Sequence, residues 1–331
     1  MADLRIYNGG PAKPDMDILT DEQVKTFLQP TSLVTALEEG FRRDYGRTMI
    51  APTRMQMQLP DGTIFIVMPC YDGLLQALGI KLVSVGHTTG ASGRVQSDYI
   101  LLDPKTRRVS VFMQANHLTN VRTAAVSAIA TKSLARPDAT VLGIFGTGQQ
   151  AGIHLQVFSE LFSLRTVLVC GSDLARSEEF AQRFATKELP VLPATASDCV
   201  EQSQIICTCT TSRQPLFEGS KVRPGTHLNL VGAFQPDARE VDAETIRRGR
   251  VVVDTYDGAF AEAGDLLIPL EDGIIERRHI VADLHEILSD KKRGRTDPEE
   301  ITIFKSVGHA YEDLVAAKMI FDACILPSSY T

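Results

Sequence analysis

Residues Thr140–Ala151 read TVLGIFGTGQQA. A hydrophobic run meets a tight glycine turn, and the residues that follow open a helical pattern, AGIHLQVFSELF. A dinucleotide pyrophosphate site is built in this order: Gly146 permits the turn, Gly148 leaves room for the pyrophosphate, and the helix offers its unpaired N–H groups. Ala151 stands where the pattern has its third glycine, a replacement it tolerates, and the flanking strand and helix supply the context that a bare glycine motif lacks. Gly146, Thr147, Gly148, Gln149 and Gln150 are therefore expected to hold a dinucleotide, with Thr210, beyond a later strand, completing the cofactor site.

Outward from this stretch the rhythm of strand then helix continues. TVLVCG precedes ARSEEFAQRFA, and QIICTC, HLNLVG and RVVVDT extend the series. Near-continuous apolar strands alternating with helices imply a parallel sheet covered on both faces, a doubly wound (Rossmann) domain at 120–306. At the end of VLVCGSD an NAD site would carry a carboxylate for the ribose hydroxyls. The terminal positions are Gly171 and Ser172, with Asp173 one step later and Arg176 beyond. Ser172 and Arg176 can receive a 2′-phosphate, which Asp173 would repel if it pointed inward, so the balance favours NADP (NADPH) over NAD.

The first part of the chain is punctuated differently. Leu19, Val24, Phe27, Leu28, Leu33, Ala36, Leu37 and Phe41 recur at helical spacing over 18–46. After Pro52, the segments MQMQLP, GTIFIVMP, GIKLVSVG, DYILLD and VSVFMQ read as short strands of a largely antiparallel sheet. A helix is expected over Asn120–Leu134, stopped by Arg136-Pro137-Asp138, and another after His309. Residues 1–119 form a second α/β domain, and the sequence leaves open which domain receives the terminal helix.

Composition excludes several classes. A chain of 331 residues with 44% hydrophobic and 23% charged residues fills two cores without metal or disulfide staples. A formal charge of −7 gives no field for nucleic acid, and Lys291–Arg295 (KKRGR) reads as a solvated loop. The six cysteines, Cys207 and Cys209 among them, read as reduced core residues, and no apolar run is long enough to span a membrane. A soluble, cytoplasmic protein is the expectation. The histidines show no metal-ligand spacing and no serine occupies a nucleophile elbow. His154 is expected on the exposed or packed flank of the dinucleotide helix, and His117 is either a capping or loop residue or a proton donor.

A dinucleotide enzyme needs a substrate anchor, and the first domain offers Arg54, Lys81 and Arg122. Arg54 follows Pro52 at a strand start, where its planar fork suits a carboxylate. Lys81 interrupts the apolar strand GIKLVSV, so it is either buried against a partner or on an edge facing water. Arg122 lies early in TNVRTAAVSAIA, where Thr119 can cap the helix. A cation there opposes the helix field and points to a nearby anion.

The segments APTR, GIKLVSV, LTNVRTAAVSA, GIFGTGQQA, NLVGAFQPDAREVD, EAGDL and IFKSVGHAYEDL, in this order, resemble the ornithine cyclodeaminase and mu-crystallin family. That family holds cyclodeaminases, an archaeal type of alanine dehydrogenase and NAD(P)H-dependent ketimine reductases. The resemblance implies a homodimer whose substrate and dimerisation domain is 1–119 completed by 307–331, and it implies that Arg54, Lys81 and Arg122 hold a substrate carboxylate, Lys81 and Arg122 at the catalytic centre. Cyclodeaminases and alanine dehydrogenases of the family carry an aspartate after NLVG where this chain has Phe234. A ring accepts no proton, and Asp237, the nearest carboxylate, need not touch substrate. His87-Thr88-Thr89-Gly90 is a second departure. The expected activity is therefore reduction of a cyclic α-imino acid, such as pyrroline-2-carboxylate or piperideine-2-carboxylate, to the L-amino acid, with Phe234 against the ring. Ornithine cyclodeamination or amino-acid dehydrogenation is the alternative, and mu-crystallin-like binding the non-enzymatic one.

Overall fold

Pro30 divides the N-terminal apolar stretch in two. The computed structural model describes residues 17–43, 45–90 and 93–325. After β1 (Asp17–Leu19), Thr20 and Gln23 form a reciprocal capping box on α1 (Asp21–Phe27), and Pro30 occupies the first turn of α2 (Pro30–Arg42). The buried residues of α2, Leu33, Val34, Leu37 and Phe41, share one face. There follow β2 (Met49–Ile50), β3 (Met55–Gln58), β4 (Ile64–Asp72), β5 (Ala77–Gly90), β6 (Gly93–Leu102) and β7 (Val109–Gln114). They form a seven-stranded sheet in the order β1-β7-β6-β5-β4-β2, with β3 also on β4. Its pairs are antiparallel except β1 on β7. β5 lies between β4 and β6, so Lys81 is on an interior strand, which excludes the edge-strand reading. The side chains of His87–Gly90 fall outside the described residues.

The helix expected from Asn120 begins four residues earlier. α3 (Asn116–Leu134) has Ala115 at its cap position with no side-chain capping bond, while Thr119 is inside the helix with its hydroxyl 3.0 Å from that of Ser97. Arg122 is thus nearly two turns in, roughly 9 Å along the axis. There the field of the helix end has faded and does not decide its partners. α3 is buried nearly all round because it serves two cores: Leu118, Val121 and Ala125 pack toward the first sheet, Ala124 and Ala128 toward the second. The boundary read at 119/120 falls inside this helix.

The second sheet is built from β8 (Val141–Phe145), α4 (Gln149–Leu161), β9 (Thr166–Cys170), α5 (Leu174–Phe184), β10 (Val191–Pro193), α6 (Ala196–Gln202), β11 (Ile205–Thr208), β12 (His227–Leu230) and α7 (Ala243–Arg248). It continues with β13 (Gly249–Val253), α8 (Tyr256–Glu262), α9 (Gly264–Glu271), β14 (Ile280–Asp283), α10 (Leu284–Leu288) and β15 (Ile301–Lys305). All eight strands are parallel in the order β10-β9-β8-β11-β12-β15-β13-β14. One face packs Leu155, Phe158 and Phe180, the other Val200, Ile246 and Leu266, so the sheet is doubly wound. The order reverses between β8 and β11, and the carboxyl ends of these neighbours open the crevice where such folds bind ligand. α11 (Ala310–Ile325) returns to the first sheet, packing on β4 and β5, and its Tyr311 meets Phe41 of α2 edge-on at 5.8 Å. Among the described residues no helix is long and apolar enough to cross a membrane.

Candidate active site

The glycine turn has the geometry its sequence implies. Gly146 has φ +107°, and a Cβ there would come within 2.7 Å of the Cys209 carbonyl at the end of β11. Gly148 faces open space and caps α4 without any side-chain bond, so the first-turn N–H groups remain available. Thr147 lies against Gly171 at the end of β9, and Gln149 is exposed. These residues fit a dinucleotide: a close backbone approach, a helix N-terminus and no side chain in the way. The Gln150 amide is turned elsewhere, donating to the Asn120 carbonyl of α3 at 3.1 Å. His154 lies on the packed flank of α4, fully buried and 3.0 Å from Ser127 Oγ, and burial lowers its pKa to about 4. Thr210 donates from its N–H and its hydroxyl to the buried Glu240 at 2.8 and 2.7 Å, and the hydroxyl oxygen accepts from the Ser212 N–H at 3.1 Å.

At the adenine end, Asp173 is the organising residue. Its carboxylate caps α5 by accepting from the Arg176 N–H at 2.9 Å and accepts from the Ser172 hydroxyl at 3.1 Å, while Arg176 Nε stands 3.6 Å away. The backbone bond to Arg176, with the Ser172 hydroxyl and the Arg176 charge, lowers the Asp173 pKa. Ser172 and Arg176, read from sequence as phosphate receivers, are instead turned onto a carboxylate.

The three cations meet on the other side of the crevice. Lys81 is 1% exposed and its ammonium lies 2.7 Å from the Asp313 carboxylate on α11. Arg122 donates from Nε to the same Asp313 at 3.0 Å and from Nη1 to Glu312 at 2.7 Å. Its Nη2 meets no acceptor among the described residues. Arg54 forms a two-pronged pair with Glu262 and donates from Nη1 to the Val307 carbonyl at 2.9 Å. Its guanidinium also lies 5.9 Å from the centre of the Phe234 ring, in the loop after β12. Gly308, with φ +88°, lets the chain after β15 pass beside Arg122, where a Cβ would stand 2.8 Å from Nη1. Asp254, at the end of β13, fixes that loop by accepting from the N–H groups of Val307 and Gly308, both at 2.7 Å.

Burial sets the protonation of this cluster. It lowers Lys81 to about 8, helped by the charge of Arg122 and opposed by Asp313. It lowers Arg54 to about 10 against the pull of Asp254. For Arg122, burial is outweighed by Asp313 and Glu312, which raise its pKa. Glu312 is raised to about 7 by burial, and its Oε1 has no hydrogen-bond partner among the described residues. Desolvation lowers the pKa of His309, half-buried beside Asp254, Asp313 and Arg122, against the pull of the two carboxylates.

Sequence reasoning brought Arg54, Lys81, Arg122 and Phe234 forward, and the structure links Lys81 to Arg122 through Asp313 and Arg54 to Phe234 directly. The anion inferred beside Arg122 is supplied by Glu312 and Asp313. Glu262, Asp254, Glu312, Asp313 and His309 were missed. For all of these but Asp254 the signal was present in GHAYEDL and EAGDL, where polar residues interrupt apolar stretches. Asp237 pairs with Arg213 at the surface. His117 sits in the first turn of α3, its N–H donating to Asp21 at 2.7 Å.

Comparison with known proteins shows what the chain as a whole is similar to. The sequence profile of the Ornithine cyclodeaminase/mu-crystallin family matches residues 13–326. The ketimine reductase mu-crystallin of Mus musculus is 35% identical, over 92% of this chain and 96% of its own length. The structure of Thermococcus litoralis Delta(1)-pyrroline-2-carboxylate reductase in complex with NADH and L-proline superposes with a TM-score of 0.91 at 33% identity, covering 95% of this chain and 98% of that one. An archaeal alanine dehydrogenase dimer with bound NAD gives 0.89 at 26% identity, covering 96% and 98%. These complexes hold NADH and NAD, and together with the Asp173 carboxylate they overturn the preference for NADPH read from Ser172 and Arg176.

Proposed function

We propose, since this chain belongs to the ornithine cyclodeaminase/mu-crystallin family, that it uses NADH to reduce a cyclic α-imino acid of the pyrroline-2-carboxylate or piperideine-2-carboxylate type to the L-amino acid. The observation that carries this reading is the meeting of three cations with an aromatic ring, where an acid–base carboxylate would otherwise stand, at the strand ends beside the dinucleotide cradle. Gly146, Thr147, Gly148 and Gln149 hold the pyrophosphate, Asp173 the adenine-side ribose, and Thr210 borders the nicotinamide half. The bound dihydronicotinamide supplies a hydride to C2 of the imine.

Each chain residue has a definite task. Asp313 spaces Lys81 and Arg122 so that their remaining protons point to one carboxylate. Arg54, steadied by Glu262, closes the anchor from the Phe234 side. Phe234 packs on the aliphatic ring, and Glu312 and Asp254 add negative potential that favours the protonated C=N, the better hydride acceptor. Fixing the carboxylate removes most of the orientational freedom of the substrate. The absence of a carboxylate at Phe234 disfavours release of ammonia from a diamino acid.

The assembly is a homodimer, with 1–119 and 307–331 as the substrate and dimerisation domain and 120–306 as the dinucleotide domain. The exposed Met55 and Met57 on β3 support such a contact. A reducing, cytoplasmic setting agrees with six free cysteines. The test is an NADH-consumption screen over cyclic imines, open-chain ketimines, and ornithine or alanine in reverse. Turnover of a cyclic imine is expected, and efficient turnover confined to ornithine overturns the assignment.

A further inference from the structure

Glu240 is a fully buried carboxylate outside the cation cluster. Five donors converge on it from two neighbouring strand ends. From β11 come the Thr208 hydroxyl at 2.6 Å and the N–H and hydroxyl of Thr210 at 2.8 and 2.7 Å. From the loop after β12 come the N–H groups of Gly232 at 2.8 Å and Ala233 at 3.3 Å. Both carboxylate oxygens accept, and these bonds, with the charge of Lys305, oppose the upward pull of burial and Asp265 on its pKa. Gly232 is required here because a Cβ would strike the Thr210 carbonyl and Glu240 itself.

The backbone of Glu240 is fixed in turn. Its N–H and that of Val241 donate to Asp265 Oδ1 at 2.7 and 3.2 Å, and Asp265 Oδ2 lies 2.9 Å from the ammonium of Lys305, the last residue of β15. Lys305 also donates to the Ala233 carbonyl. Ala233 is therefore held at both ends, by Glu240 through its N–H and by Lys305 through its C=O, and the next residue is Phe234. The buried triad of Glu240, Asp265 and Lys305 thus ties together the strand ends on the side of the crevice opposite Asp173.

We propose that Glu240 is a positioning residue for the nicotinamide half of the site: with Asp265 and Lys305 it locks Thr210 and the 232–234 loop into the wall against which the nicotinamide and the imine are aligned. This rests on the reductase reading above. The adenine end is built at the end of β9, where the hydrogen bonds of Asp173 to Ser172 and Arg176 do not pass through this lock.

The test uses Thr210→Val, Thr210→Ser and Glu240→Gln in the full-length protein. Calorimetry with ADP probes the adenine half, the emission of bound NADH probes the nicotinamide surroundings, and steady-state kinetics with a cyclic imine probes alignment. The expected result is an ADP affinity within about twofold of wild type, loss of the emission change, and a fall in kcat of about 10–100-fold in Glu240→Gln and about 3–10-fold in Thr210→Val. Thr210→Ser, which keeps the hydroxyl, restores kcat and emission. Wild-type emission and kcat in Thr210→Val overturn the proposal. So does a joint loss of ADP and NADH affinity with a lowered Tm, which marks a purely structural role. If Glu240→Gln fails to fold, the Thr210 pair decides. A wild type that binds NADH with altered emission but turns over no imine defeats the reductase reading, while the ADP and emission arms still judge the lock.

Discussion

The dinucleotide side and the anchor side of the crevice recruit charge in opposite ways. Around Gly146 and Gly148 the machinery is backbone: a positive φ, an uncapped helix start and open space. Around Lys81 and Arg122 it is side chain, with two cations taken out of water and clamped by Asp313 and Glu312. The first arrangement costs little to bury and tolerates sequence change away from its glycines. The second is held by mutual attraction in a low-dielectric setting, so losing one member strands the others. The anchor side is thus the more brittle half, and substitutions there and in the cradle should differ in kind as well as in size.

Asp313→Asn carries the largest expected effect. It leaves two buried cations sharing a neutral amide, which should lower stability by about 3–5 kcal/mol in denaturant unfolding and abolish imine reduction. Stability unchanged within error would mean that the cluster is better hydrated than its burial indicates. Lys81→Met comes next, since Arg122 keeps its bond to Asp313. Its kcat/KM for a cyclic imine should fall by about 100–1,000-fold with NADH affinity intact. The same lysine predicts a pH profile. Its pKa is lowered to about 8, so the anchor is charged below that pH and neutral above it. Accordingly kcat/KM should fall by about tenfold per pH unit above pH 8. A profile flat to pH 10 would remove Lys81 from substrate binding.

Gly146→Ala breaks the other half. An alanine at φ +107°, with its Cβ 2.7 Å from the Cys209 carbonyl, must shift the turn, at a cost of about 1–3 kcal/mol. Fluorescence titration should show NADH binding weakened by about 10–100-fold. Imine reduction at saturating NADH should be less affected. Equal losses in both would mean that the two halves are not independent.

The contrast also explains what could be read in advance. Gly146–Ala151 is contiguous, and its strand and helix neighbours verify it locally, so the parallel domain was legible. The cations were legible as anomalies, because Lys81 breaks an apolar strand. Their partners were not, since Lys81 and Asp313 are separated by 232 positions, Arg122 and Asp313 by 191, and Arg54 and Glu262 by 208. Only the fold of α11 and α8 onto the first half brings them together. The start of α3 was misplaced because a helix buried on both faces shows little periodicity and Ala115 is no capping signal. Asp173 was misread for a different reason: its effect depends on side-chain direction, which residue order alone does not encode.

Asp173 supplies the smallest expected effect and the finest test of how the cradle handles charge. Serine is also a good helix N-cap, so Asp173→Ser preserves the start of α5 while removing the carboxylate. Arg176, now without its partner 3.6 Å away, becomes available to a 2′-phosphate. Because both side chains are largely exposed, screening limits the change, and the ratio of kcat/KM for NADPH over NADH should rise by about tenfold or less. Raising the ionic strength should shrink that gain. A variant whose cofactor ratio matches wild type at low salt would show that discrimination lies in the shape of the ribose site, leaving the dinucleotide half free of charge selection altogether.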